Sequence, residues 1–243
     1  MEAFYVKYLT HAAILTIGSA LPSYAQDTLP DHADNLFLRT VAHEMGHAVI
    51  REFDFPVLTS EELMADDFAT VFLAMHMPDR AVAITDAFVR FEFNDNDQEG
   101  FFSEYLDGER RAGRATCLLY GMDPDQFGGI AEFMSLNGDD ASNCAETAPE
   151  IARSWRRVLA PLMMPENARV TEVATGFDPD SQFASSLQAS GTIADAVAML
   201  SKFDWHSQVR LNVVQCDGSA GWARNGRRIT VCDAYIQRFI DSQ

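Results

Sequence analysis

Apolar runs in the 243 residues stop short of the roughly 18 to 20 needed to cross a bilayer, so no helical membrane span is expected. Positive charge is scarce as well. Lys and Arg number 18 against 36 Asp and Glu, and a formal charge of -18 repels a phosphate backbone, so nucleic acid is not an expected partner. The chain has no Pro-, Gly- or Ser-rich linker and no internal repeat, which leaves one compact unit. Its four cysteines, at 117, 144, 216 and 232, never occur in C-x-x-C spacing, so a zinc knuckle and a thioredoxin-type redox site both lack their signature. G-x-S-x-G, a P-loop and G-x-G-x-x-G are absent too, which removes support for serine hydrolases and nucleotide-dependent enzymes. What remains is an ordinary globular composition, 47% hydrophobic and 22% charged.

The first 25 residues read as a secretory signal. A short apolar stretch over 12–21 follows Lys7, and Ser23 and Ala25 satisfy the small-x-small rule for cleavage after Ala25. The expected organisation is a leader over 1–25 and a single domain over 26–243, in the periplasm or secreted. An even number of cysteines in an exported chain favours disulfides. Three pairings are possible, and the sequence-local one joins Cys117 to Cys144 and Cys216 to Cys232.

Helical patterns cover 34–51, with Asp34 as N-cap, and then 59–76, opened by Thr59-Ser60-Glu61-Glu62. Others are expected over 79–90, 105–121, 125–136, 147–159 and 192–203. Near the C-terminus the period changes to two, and 208–214 and 228–231 read as the strands of a hairpin. The expected class is mainly α (α+β), with a helical core and a small C-terminal β-hairpin. Residues 95–100 begin like an EF-hand loop, but Leu106 stands where the bidentate Glu belongs, so a solvated acidic turn is the better reading. His32, His76 and His206 are isolated.

His43-Glu44-Met45-Gly46-His47 is H-E-x-x-H, and it lies inside the first helix, the context the motif needs. Composition alone gives roughly 0.01 accidental matches. Positions i and i+4 share a helical face, so both imidazoles can reach one metal while Glu44, one step round, serves as general base. Catalytic zinc wants a third protein ligand, and Glu62 on the next helix is the candidate. Asp66, one turn later on the same face, can accept the outer N–H of His43 or His47. Glu61 reads as a solvated helix start. Tyr105 and Arg110 are candidate oxyanion donors. A peptide or protein substrate follows; the alternative is a secreted domain that keeps zinc without turnover, against which an intact Glu44 speaks.

These residues carry a resemblance. His43 through Ile50, then Pro56-Val57-Leu58 and Glu61 through Asp66, resemble a family of proposed metallopeptidases known as domain of unknown function 4344. Leu106-Asp107-Gly108-Glu109-Arg110 with Cys117-Leu118-Leu119-Tyr120-Gly121, Ser154-Trp155 and the segment from Cys216 to Cys232 are similar to later stretches of that family. Glu62-x-x-x-Asp66 also resembles the third-ligand helix of gluzincins, which implies that Glu62 binds zinc and Asp66 supports a histidine. The chain departs from the family at Ser103-Glu104-Tyr105, where a histidine is usual, and at Ala220-Gly221-Trp222-Ala223. Only about 17 residues separate the expected cleavage point from His43, too few for the sheet that zinc peptidases usually place before the motif helix. Backbone that binds substrate is therefore expected either later in the chain, from a hairpin over 209–231 packed beside the cleft, or not at all.

Overall fold

The computed structural model describes residues 28–94, 106–165, 168 and 172–242; the expected leader, the acidic turn over 95–100 and Tyr105 lie outside them. Among the described residues the fold is mainly helical with one small sheet. Helices α1 (Asp31–Glu52), α2 (Glu61–His76), α3 (Pro78–Asn94), α4 (Gly108–Met122), α5 (Pro124–Phe133) and α6 (Gly138–Leu159) come first. After them come β1 (Val173–Phe177), α7 (Ala184–Ala189), α8 (Thr192–Leu200), β2 (Val209–Val214), β3 (Ala220–Ala223), β4 (Arg228–Cys232) and α9 (Asp233–Asp241).

Helix α1 is the central element. It is buried on nearly every side from Ala33 to Ile50, because α2, α3, α8, α9 and β3 all pack on it. A helix enclosed this way has no solvent face for its charged residues, so Arg39, His43, Glu44 and His47 must find partners inside. The core continues through an aromatic group in which Phe68, Phe72, Phe203, Trp205 and Trp155 meet stacked, tilted or edge to face. Two disulfides reinforce the outer elements. Cys117–Cys144 ties α4 to α6, and Cys216–Cys232 ties the loop after β2 to the end of β4, the pairing expected from the sequence.

The first helix begins earlier than expected. Pro30 occupies the N-cap position, while Asp34 sits buried inside the first turn and accepts a hydrogen bond from Ser190 Oγ at 3.3 Å. Its side chain serves the packing of the α7–α8 turn instead of capping α1.

The expected hairpin is also corrected. Strands β2 and β4 are neighbours but run parallel, with Leu211 opposite Ile229 and Val213 opposite Val231. The chain between them is itself a strand: β3 lies on the far side of β4 and pairs with it antiparallel, giving the order β1-β2-β4-β3. Residues 215–219 therefore pass over the end of β4. The crossing is fixed by the Cys216–Cys232 bond, by Cys232 N–H donating to Ser219 O and by Ala234 N–H donating to Cys216 O. Alternation in a sequence identifies a strand but carries no information on its direction. Strand β1, parallel to β2 at the other edge, was not expected, nor were α7 and α9.

Candidate metal and catalytic site

The site forms where α2 begins against the middle of α1. Ser60 caps α2, its hydroxyl accepting Leu63 N–H at 3.2 Å, so the first turn of that helix carries Glu61 and Glu62. The two helices approach closely because residue 46 is glycine. A Cβ on Gly46 would lie 2.9 Å from Ala65 Cα and 3.1 Å from Ala65 O. The fourth position of H-E-x-x-H thus sets the spacing that lets side chains of both helices meet.

His43 Nε2 and His47 Nε2 each lie 3.2 Å from Glu62 Oε2, and 3.2 Å from one another. Their outer nitrogens are held separately: His43 Nδ1 is 2.8 Å from Asp66 Oδ1, and His47 Nδ1 is 2.7 Å from Glu61 Oε1. An ionised carboxylate only accepts, so each Nδ1 carries the hydrogen and donates it. Both Nε2 lone pairs then face the Glu62 carboxylate, three acceptors with no donor between them. A cation between them would satisfy all three, and the side chains could hold a metal ion. Without one, a proton is drawn to the same place. Burial lowers the His43 pKa, yet Asp66 and Glu62 outweigh it and raise it to about 9. His47 is raised for similar reasons, and burial of Glu62 is overcome by the two imidazoles, which hold its carboxyl well below the usual range.

Asp66 anchors more than a histidine. Its Oδ1 accepts from Arg39 Nη2 at 3.0 Å and Arg111 Nη2 at 3.0 Å, and its Oδ2 accepts from Arg111 Nε at 2.8 Å. Burial works against its charge, but Arg111 and His43 keep its pKa well below the ordinary value. Glu61 likewise joins His47 to Arg51 Nε, which donates at 2.7 Å, so it is an engaged partner and not the solvated helix start read from the sequence.

Glu44 is 7% exposed and does not belong to the His-His-Glu triangle. Its pKa is raised by burial, against the pull of His43 and His47, and the backbone N–H of Trp222 on β3 donates to its carboxylate. Glu44 and His43 open onto a chamber of about 240 Å³ whose walls include Arg39, Glu92, Arg111 and Tyr235. Arg110 is exposed and not among the chamber residues, whereas its neighbour Arg111 is. Tyr105 lies outside the described residues. His32, His76 and His206 stand apart from the triangle: His32 Nε2 meets Phe239 O at 2.9 Å, His76 packs on Phe72, and His206 packs on Phe53.

Four contributors escaped the reading of the sequence: Glu61, Arg39, Arg111 and Tyr235. Arg39 was within reach of it, four residues before His43 and so on the same helical face. Tyr235 had no signal, since α9 reaches the site only through the tertiary fold.

No match is found among curated proteins or among solved structures. A family profile does match, from residue 11, inside the expected leader, to residue 159 at the end of α6. The C-terminal resemblance noted from the sequence lies beyond that match. Because the matched stretch is more than half of the chain and contains His43, Glu44, His47, Glu62 and Asp66, the protein belongs to the family domain of unknown function 4344, described as "Putative metallopeptidase".

Proposed function

We propose that the protein is an exported, zinc-dependent peptidase in which His43, His47 and Glu62 hold the metal and Glu44 is the general base. The observation that carries this reading is the triangle of ligand atoms 3.2 Å on each edge. Tetrahedral bonds of about 2.0 to 2.1 Å to zinc place ligand atoms about 3.3 Å apart, so the triangle matches that ion without rearrangement. Three protein ligands also leave the open fourth position of a catalytic site, which a closed structural site lacks. When bound, zinc lowers the pKa of a coordinated water toward about 7 and polarises a scissile carbonyl.

The side chains divide the remaining work. Asp66 and Glu61 fix the tautomers of His43 and His47 and aim their Nε2 atoms inward. Glu44, buried and raised in pKa, is suited to take a proton from the attacking water and return it to the leaving amine. Tyr235 borders the same chamber; burial, followed by Glu92, pushes its pKa up to about 12, so it remains a protonated donor available to a developing oxyanion. Strand β3 ends the sheet on the side of α1, and Trp222 N–H already faces Glu44, which supports an extended peptide running along this edge. Two disulfides and the Ser23-Tyr24-Ala25 cleavage signal support an oxidising compartment outside the cytoplasm.

The test is Glu44→Gln, assayed with zinc content measured on the same sample. Zinc should remain, while cleavage of a broad peptide library falls by at least about 10²-fold. A zinc-loaded wild type that cleaves no peptide, behaving like Glu44→Gln, would leave a zinc-holding binding domain in place of an enzyme.

A further inference from the structure

The chamber beside Glu44 extends along α1 toward Arg39, five residues earlier and about 7.5 Å along the helix axis. Arg39 is 3% exposed. Its Nη2 donates to Asp66, and its guanidinium lies 4.1 Å from the centre of the Phe88 ring. Its Nη1, however, is buried with no hydrogen-bond partner among the described residues. Arg111 alongside differs, since it spends Nε and Nη2 on Asp66 and donates from Nη1 to Glu92 at 2.7 Å. A third guanidinium, Arg238, borders the chamber and lies over the rings of Phe91 and Tyr235.

Among the described residues the carboxylates in these walls are Glu44 and Glu92, and Glu92 is already engaged by Arg111. The first residue of α4, Gly108, also lines the space, so a helix N-terminus adds positive potential. Leaving a cationic N–H buried and unused costs more than a net hydrogen bond returns, so Nη1 of Arg39, whose guanidinium is already paired with Asp66 through Nη2, is a donor still short of an acceptor.

We propose that this chamber is a substrate subsite for a carboxylate, received by Arg39: an acidic side chain close to the cleaved bond, or the C-terminal carboxylate of the peptide. That the carboxylate belongs to a peptide rests on the peptidase reading. Glu44 and Arg39 line the same chamber, so a substrate held beside one lies near the other. Burial lowers the pKa of Arg39, opposed by Asp66, and a second carboxylate would add to that opposition.

The experiment measures binding to zinc-loaded Glu44→Gln by calorimetry. Its probes are peptides of one sequence that carry Glu or Gln at each position flanking the cleaved bond, each with a free or an amidated C-terminus. We expect carboxylate-bearing peptides to bind about tenfold or more tightly than the amidated Gln peptide. Arg39→Met in the same background should bring that ratio near one. Discrimination that follows Glu identifies the acidic side chain; discrimination lost on amidation identifies the terminal carboxylate. Arg39→Lys keeps the charge near Asp66, so a reduced ratio there, with zinc content and melting temperature preserved, carries the same conclusion if Arg39→Met does not fold. Equal binding of all peptides, or a ratio that survives both substitutions, overturns the proposal. Cleavage by wild type without preference for acid overturns the subsite and leaves the peptidase standing. Arg39-dependent binding with no cleavage does the reverse.

Discussion

Two carboxylates hold the two histidines of the site, yet they differ in what else depends on them. Glu61 lies at the start of α2 and is shared with the half-exposed Arg51, whereas Asp66 is buried and neutralises both Arg39 and Arg111. Glu61→Gln should therefore weaken zinc by roughly 10-fold to 100-fold with little change in stability. Asp66→Ala should do the same to zinc and also destabilise the fold by about 3 to 5 kcal/mol, because the buried Arg39 loses its counter-charge and Arg111 is left with Glu92 alone. Competition with a chelator and denaturant titration of both variants check the difference; equal stability losses would contradict it. At the ligands themselves, His47→Ala should abolish stoichiometric zinc, read by elemental analysis. His76 makes a separate statement about pH. Burial, and secondarily Lys202, lowers its pKa from 6.5 to about 4, and its Nε2 has no partner among the described residues. The unfolded chain gains this proton near 6.5 and the folded chain only near 4, so the group favours unfolding as pH falls through that window. The stability difference between wild type and His76→Leu should be constant above about pH 6.5 and should shift in favour of the variant toward pH 4, followed by thermal melts.

Element packing explains why the fourth residue of the motif is glycine in this chain. With Ala65 Cα only 2.9 Å from the position of an added Cβ, Gly46→Ala must push α1 and α2 apart at the level of Glu62. The gain in helix propensity from that change is roughly 1 kcal/mol, and overpacking of this kind costs about 1 to 3 kcal/mol, so the net effect is loss. Zinc affinity should fall with it, since His43 and His47 stand on one helix and Glu62 on the other. Unchanged affinity, measured by chelator competition, would mean that the helices are free to separate without moving the ligands. The disulfide between α4 and α6 acts at the same scale. It closes a loop with a sequence separation of 27, for which chain entropy gives about 3.5 kcal/mol. Reduction should lower the melting temperature, and non-reducing peptide mapping should recover Cys117 with Cys144 and Cys216 with Cys232.

Across the whole molecule, charge is concentrated in an unusual way: an acidic chain keeps three arginines together around one chamber beside the His-His-Glu cluster. Those arginines serve interior carboxylates and aromatic rings, so the overall charge of -18 says little about the potential inside the cleft. Export is a prediction that belongs to the same scale. A mature N-terminus near Gln26, found by sequencing the native protein, is the expected outcome; Met1 retained on a cytoplasmic protein would remove it.

Much of the site was legible in the residues because it is local. H-E-x-x-H fixes its own geometry through the helical repeat, Glu62 and Asp66 share a face by the same repeat, and Ser60 announces where that second helix starts. Helical class and the pairing of cysteines near in sequence follow from short-range patterns of the same kind. Strand direction, the placement of β3 against Glu44 and the arrival of Tyr235 from the last helix were decided by the tertiary structure alone. Each depends on which distant surfaces bury one another, and neither periodicity nor spacing encodes that. Arg39 shows the boundary between the two: its helical face could be read from the sequence, but its burial at the wall of a chamber, with Nη1 lacking a partner among the described residues, exists only once α3, α4 and α9 have closed around α1.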